Sequence, residues 1–406
     1  TAGAQPWDLD EHSDDAAELG PQGPAEERAT IDIAVERMTG RGPLAHKVWL
    51  PPLKVPATLD HLMSDLAVDP KLGLISPTWR SRGGLTVPLG IVDIPLEQRR
   101  EQLTVSLAGA GGNMLIVGGP LSGKSTLLRT LVASLSLTAT PLEVQFYVLD
   151  FGGGSFIGMR DLPHVSGVAM RTEEEAVRRV VAEVEGVLNA REVYFRDNGI
   201  DSMDTYRRRR AEGRVDDGFG DVFLLVDGWG TLRQEFEILE QRLQAIAARG
   251  LGFGVHIVVT ANRWMEIRAA LKDSIQTRVE LRLGDPTDSE IDRKIAVNVP
   301  ANSPGQALTS AKLHALTALP RIDGDQQPET LADGVENLVA RMSEAWQGPR
   351  GPKLRLLPTM ISLDEVRALA PADDPRILLG VEETQLAPFG LDLRIDSHLF
   401  LYGDSD

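Results

Sequence analysis

Short apolar runs of strand length recur along this chain, separated by stretches in which apolar residues return every three to four positions. The runs are residues 114–117, 144–149, 222–226, 255–259 and 279–283. Mostly apolar character over four to six residues, unbroken at 114–117 and 222–226, predicts buried strands. Between the second and third runs, Val177, Val180, Val181, Val184, Val187 and Leu188 repeat with helical spacing, and Thr172 and Glu175 stand three apart as in a capping box. Leu239, Leu243 and Ile246 predict a further helix, with Gly250 placed to end it. Residues 29–38 predict a short helix, and a helix is expected from Thr126 onward. Strands alternating with helices predict an α/β fold: a doubly wound, mostly parallel sheet with helices on both faces. Ligands of such sheets bind at the carboxyl ends of the strands, and Lys124, Asp150, Asp227 and Thr260 all fall there.

The first predicted strand runs directly into Gly118-Gly119-Pro120-Leu121-Ser122-Gly123-Lys124-Ser125, which fits the phosphate-binding pattern G-x-x-x-x-G-K-[ST]. Strand, glycine loop and helix in that order define a P-loop NTPase. Backbone N–H groups of the loop and of the helix start, Thr126 included, surround a nucleotide's phosphates. Lys124 then reaches the β- and γ-phosphates, and Ser125 offers its hydroxyl to Mg²⁺, so ATP and Mg²⁺ are the expected ligands. Asp227, at the end of the third run, is the expected second holder of the metal, directly or through water. The next residue is Gly228, where many such enzymes carry a water-activating glutamate. A missing general base costs about 10²- to 10⁴-fold in rate, while phosphate binding survives.

Asp150 is a candidate base, though capping the turn at Gly152-Gly153-Gly154 is the favoured reading. Thr260 and Asn262 follow the fourth strand, where polar residues sense the γ-phosphate. Arg263, Arg278, Arg282 and Arg293 are candidates to reach a neighbour's phosphates, Arg278 and Arg293 foremost, although each alone is more often a surface arginine. His164 reads as a packed loop residue.

The chain has 406 residues, 42% of them hydrophobic, and no cysteine, which excludes disulfides and thiolate metal sites within it. A net charge of −17 argues against broad nucleic-acid binding. Arg207-Arg208-Arg209-Arg210 reads as a solvated helix end near Glu212 and Asp216, with a subunit interface as the other reading. No apolar run reaches the roughly 20 residues of a membrane span. Residues 1–43 are expected to be an acidic, mobile linker, 44–345 the nucleotide module, and 346–406 a linker leading into another module. That last expectation rests on an internal repeat. Leu50-Pro51-Pro52-Leu53, Leu59-Asp60, Val87-Pro88-Leu89-Gly90-Ile91 and Met114-Leu115-Ile116-Val117-Gly118 return as Leu357-Pro358-Thr359-Met360, Leu363-Asp364, Ile377-Leu378-Leu379-Gly380-Val381 and Leu399-Phe400-Leu401-Tyr402-Gly403. Gly403-Asp404-Ser405-Asp406 reads as a second phosphate loop cut before its Gly-Lys, and the chain, beginning at Thr1, reads as a piece of something longer.

Several segments together carry a resemblance. Asp150-Phe151-Gly152-Gly153-Gly154, Leu162-Pro163-His164-Val165, Asp221 to Trp229, Gly254-Val255-His256-Ile257, Gly284-Asp285 and Pro304-Gly305-Gln306-Ala307 resemble the FtsK/SpoIIIE-like ATPase EccC of type VII (ESX) secretion, over about residue 44 to the end. The resemblance implies one of several tandem ATPase modules, the second, with the third beginning near Gly351. It implies a regulatory module that binds ATP and hydrolyses it weakly or not at all. The implied partners are neighbouring modules, other subunits of a hexameric complex, and small helical-hairpin secretion substrates. The implied place is the cytoplasmic face of the cell membrane, reached through segments outside this chain. An active ATPase completed by a neighbouring subunit and an FtsK-type DNA translocase are the alternatives.

Overall fold

The computed structural model describes residues 29–41, 50–83, 85–382, 386–396 and 398–400. The chain divides into two units, Thr1–Leu50 and Pro51–Asp406. In the first unit the helix Thr30–Met38 forms where the pattern expects one. The acidic run before it, with His12, lies outside the described residues, as do Trp49 and residues 401–406 with the second loop opening.

The second unit is built on ten strands: β3 (Thr86–Ile94), β4 (Arg99–Ser106), β5 (Met114–Val117), β6 (Val144–Asp150), β7 (Val165–Met170), β8 (Asp221–Asp227), β9 (Val255–Ala261), β10 (Thr277–Leu281), β11 (Gln306–Leu308) and β12 (His314–Thr317). Small antiparallel pairs, β1 (Ala67–Asp69) with β2 (Gly73–Ile75) and β13 (Ile377–Val381) with β14 (Pro388–Leu391), flank them in sequence. The central sheet has the order β4-β3-β12-β11-β10-β5-β9-β8-β6-β7. From β10 to β7 every pairing is parallel, and from β4 to β10 every pairing is antiparallel.

The parallel half matches the apolar runs, because its strands are covered on both faces. Phe146, Val148, Phe223, Leu225 and Val258 point into one core with the helices Lys124–Ser136 and Leu331–Ala345. Tyr147, Leu149, Leu224, Val226, Ile257 and Val259 point into the other, beneath the helices Glu174–Asp197 and Glu237–Arg249. Alternate residues serve opposite cores, so these strands are mostly apolar, and their polar members such as Gln145, Asp221, His256 and Thr260 are buried.

Three local expectations are corrected or sharpened. The helix Glu174–Asp197 starts without a capping box at Thr172: Glu173 precedes it, and its carboxylate accepts the Met170 N–H at 2.8 Å. Gly250 caps the helix Glu237–Arg249 where expected, but it does so with right-handed angles and opens a short 3₁₀ turn whose left-handed end is Gly254. The arginine run is not a solvated helix end: Arg207 grips Asp221 at 2.7 and 2.9 Å, Arg210 pairs with Asp216, and Arg209 donates to the carbonyls of Asn198 and Gly199.

The repeat has a structural counterpart. The hairpins β3/β4 and β13/β14 are both antiparallel, and their registers slip at matched glycines, Gly90 and Gly380.

Candidate functional site

Strand β5 lies between β9 and β10, so the loop leaving it emerges at the carboxyl edge of the parallel half. The loop is pinned from three sides. Gly118 N–H donates to Ala261 O at 3.1 Å, Gly119 N–H to Arg282 O at 2.8 Å, and Gly305 N–H to Ser122 O at 2.8 Å. A Cβ at Gly119 would lie 2.8 Å from Gly284 N, and one at Gly123, where φ is +99°, would lie 2.9 Å from Gly305 N. The backbone therefore approaches its neighbours too closely for side chains at these positions. The helix Lys124–Ser136 follows at once, and its first N–H groups have no partner within the helix.

Lys124 Nζ donates to the carbonyls of Gly118 and Gly119, both at 2.7 Å. Burial lowers its pKa, while Asp227 and Glu266 act in the opposite direction. Asp227 is buried at the end of β8. Its Oδ1 accepts Thr260 Oγ1–H at 2.7 Å and its Oδ2 accepts Ser155 Oγ–H at 3.3 Å. Gly152 brings the two expected metal-holding groups together: a Cβ there would collide with Asp227 Oδ2 and lie 3.3 Å from Ser125 Oγ. Ser122 Oγ is buried beside Gly118 with no hydrogen-bond partner among the described residues.

This arrangement fits ATP with Mg²⁺. Ser125 and Asp227 would hold the ion, which supplies charge neutralisation between the β- and γ-phosphates. Lys124 would leave its two loop carbonyls for the phosphates, and the Ser122 hydroxyl is a buried donor left for an acceptor.

The remaining expected site residues divide sharply. Asp150 spends its carboxylate on the glycine turn: Oδ1 accepts from Gly152 N–H and Gly154 N–H, and Oδ2 from Phe156 N–H at 2.9 Å. Its pKa is nonetheless raised, by burial and then by the neighbouring Asp227, against those three bonds. Thr260 is fully buried between Asp227 and the Gly228 N–H, 2.8 Å away, and so faces the protein. Asn262 is exposed, and its N–H donates to Glu266 Oε2 at 3.0 Å. Arg278 donates to Ile275 O at 3.0 Å and Lys272 O at 2.8 Å near the amino end of β10, at the opposite edge of the sheet from the phosphate loop. Arg282 donates to Val299 O, while Arg263 and Arg293 are exposed. His164 is buried with Nε2 2.8 Å from Ala139 O, a packing role.

Three further residues converge here without having stood out in the sequence. Ser155 reaches Asp227 from the turn after β6. Arg129 lies one helical turn beyond Ser125, and its pKa is lowered by burial while Asp227 and Asp150 act to raise it. Glu266, in the short turn Trp264–Glu266 after β9, acts on Lys124. The four-residue step from Ser125 to Arg129 is a signal the sequence does carry. The approach of Glu266 depends on tertiary structure.

A mixed sheet whose parallel half carries this loop at the carboxyl end of a central strand defines a P-loop NTPase. The sequence profile of the FtsK/SpoIIIE family matches residues 77–324, more than half of the chain, and the chain belongs to that family. Over 377 residues it is 48% identical to the ESX secretion system protein EccC of Thermomonospora curvata, covering 93% of this chain and 29% of that protein. The cytoplasmic domain of the type VII secretion ATPase EccC of Thermomonospora curvata superposes with a TM-score of 0.85 at 48% identity, covering 92% of this chain and 44% of that one. The structure of Thermomonospora curvata EccC ATPases 2 and 3 in complex with a signal sequence peptide gives a TM-score of 0.81 at 50% identity, covering 86% of this chain and 63% of that one. The chain thus spans less than a third of the length of that EccC.

Proposed function

We propose that this chain is an ATP-binding module of a type VII protein-secretion motor, with a regulatory role and weak or absent hydrolysis. The observation that carries the reading is the convergence of Lys124, Ser125 and Asp227 beside a residue, Gly228, that offers no carboxylate. Residues 44–345 are read as the module, with phosphates held by Gly118 to Thr126 and Mg²⁺ by Ser125 and Asp227. Residues 346–406 are read as a linker and the front of a following module, a view supported by the matched hairpins.

The partners in this reading are adjacent ATPase modules, other subunits of the secretion complex and small helical-hairpin substrates. Its place is the inner face of the membrane, through segments outside this chain. No helix among the described residues is long and apolar enough to cross a membrane. Completion by a neighbouring subunit is a second reading, and the exposure of Arg293 favours it over Arg278, whose guanidinium is tied to two carbonyls.

The test is the nucleotide content and hydrolysis rate of the purified chain. Wild type is expected to retain ATP with Mg²⁺ and turn it over slowly. Lys124→Ala removes charged hydrogen bonds worth about 1.5–3 kcal/mol, and so should weaken nucleotide binding roughly 10- to 100-fold. Retention of ATP by Lys124→Ala at the wild-type level would remove the reading.

A further inference from the structure

The missing glutamate after Asp227 leaves the site without a water-activating group in the usual place. The other two buried carboxylates are already committed, Asp150 to three N–H groups and Asp227 to two hydroxyls beside the metal position. Glu266 is different in three respects. It sits at the carboxyl end of β9, the edge from which the phosphate loop emerges. It is half-buried, and among the described residues the only hydrogen bond to its carboxylate is from Asn262 N–H to Oε2, which leaves Oε1 to accept. Its bond to Asn262 also sets it next to Ala261, whose carbonyl accepts the Gly118 N–H of the phosphate loop at 3.1 Å.

The helix Trp229–Glu235 shows where this carboxylate stands. A Cβ placed on Gly230 would meet Glu266 Oε2 at 3.2 Å and Oε1 at 3.6 Å. Both oxygens therefore rest against the backbone two residues beyond Gly228, in the space that a side chain from the start of this helix would otherwise fill. Arg233 fixes the turn that carries Glu266 by donating to its backbone carbonyl at 2.7 Å. A carboxylate supplied from the β9 side thus lies beside the gap left on the β8 side.

We infer that Glu266 orients and deprotonates the water that attacks the γ-phosphate, and so carries the slow turnover of this site. The inference rests on the reading that the site holds ATP. In the step, the water oxygen forms a bond to the γ-phosphorus. The bond from that phosphorus to the β–γ bridging oxygen breaks, and its electron pair leaves on ADP. One water proton passes to the Glu266 carboxylate and from there to the phosphate product. A negative group beside the γ-phosphate also opposes ATP more than ADP, which gives a binding signature independent of turnover.

The experiment compares wild type with Glu266→Gln and Glu266→Asp, measuring equilibrium binding of ATP and of ADP and single-turnover hydrolysis. Glutamine keeps an oxygen for the Asn262 N–H, so the turn keeps its hydrogen bond. Glu266→Gln is expected to bind ADP as wild type does, to bind ATP several-fold more tightly, and to hydrolyse it about 100-fold more slowly or worse. Glu266→Asp, which keeps the charge on a shorter arm, should fall between the two in rate. Equal rates in wild type and Glu266→Gln with an unchanged ATP-to-ADP affinity ratio would overturn the role of Glu266. So would tight ATP binding by a wild type with no turnover above that of Lys124→Ala. A wild type that binds no ATP would remove the reading of the site itself.

Discussion

The backbone at Gly228 turns with φ +103°, a left-handed angle at which a Cβ would lie 3.2 Å from Phe151 Cβ. Left-handed angles cost a non-glycine residue roughly 1–2 kcal/mol. The lack of a glutamate after Asp227 is therefore built into the main chain, and a side chain restored at this position starts from a different direction than in enzymes with an extended backbone there. Gly228→Glu is expected to lower the free energy of unfolding by about 1–2 kcal/mol, read from urea midpoints, without raising the hydrolysis rate. A variant with wild-type stability and at least tenfold faster turnover would show that the backbone adapts. The sequence displays the glycine; its positive φ is imposed by the packing of Phe151 and by Thr260, which accepts the Gly228 N–H. The same limit applies to Glu266 and Lys124, which are 142 positions apart and meet only because β5 and β9 are adjacent.

At the level of elements, what the hydrophobic pattern reveals follows from burial. Strands β5, β6, β8 and β9 are covered on both faces and appear as mainly apolar runs, close to their observed bounds. The antiparallel half does not appear this way: β4 alternates buried and exposed positions over part of its length, and β11 has three residues. The predicted run 279–283 is displaced from β10, Thr277–Leu281, because Leu283 is buried beyond the end of the strand. Edge strand β7 is covered by residues 351–356. Gly351 N–H donates to Pro163 O at 3.0 Å and Leu354 N–H to Ser166 O at 2.8 Å, while Arg179, itself paired with Glu183, donates to Arg355 O at 2.8 Å. Covering an edge in this way blocks pairing with other chains. The Leu354 side chain rests on Gly167, where a Cβ would approach Leu354 Cβ to 2.7 Å. Gly167→Val should lift this segment and speed tryptic cleavage after Lys353 and Arg355 severalfold, with retained nucleotide unchanged. Protection equal to wild type would show that the backbone bonds hold the strap without the Leu354 contact.

For the whole molecule, acid sensitivity is the property most directly set by burial. His164 is enclosed in the core beside the last turn after the helix Lys124–Ser136, with Nε2 against Ala139 O and Nδ1 without a partner among the described residues. Burial pulls its pKa from 6.5 to about 4, so the folded chain keeps it neutral while the unfolded chain takes up a proton. Stability therefore carries no penalty from His164 above pH 6.5 and loses ground steadily as pH falls toward 4, where the loss is complete. A shift of that size corresponds to about 3 kcal/mol at 1.36 kcal/mol per pKa unit. Asp221 works in the same direction over a lower range: His256 and Arg207 outweigh its burial and hold it at about 2, so its contribution is complete above the unfolded value near 4 and is lost as pH falls from there toward 2. Neutralising part of a net charge of −17 also relieves repulsion in mild acid, so the raw pH profile mixes several effects. Comparison with His164→Gln isolates one of them, since an amide N–H can still donate to Ala139 O and the other groups, including the half-buried His314, are common to both proteins. Between pH 7 and pH 4.5 the wild type should lose roughly 2–3 kcal/mol more unfolding free energy than His164→Gln, measured by urea denaturation at each pH. Parallel profiles for the two proteins would mean that His164 takes up its proton in the folded state, with water or a rearranged loop reaching the ring.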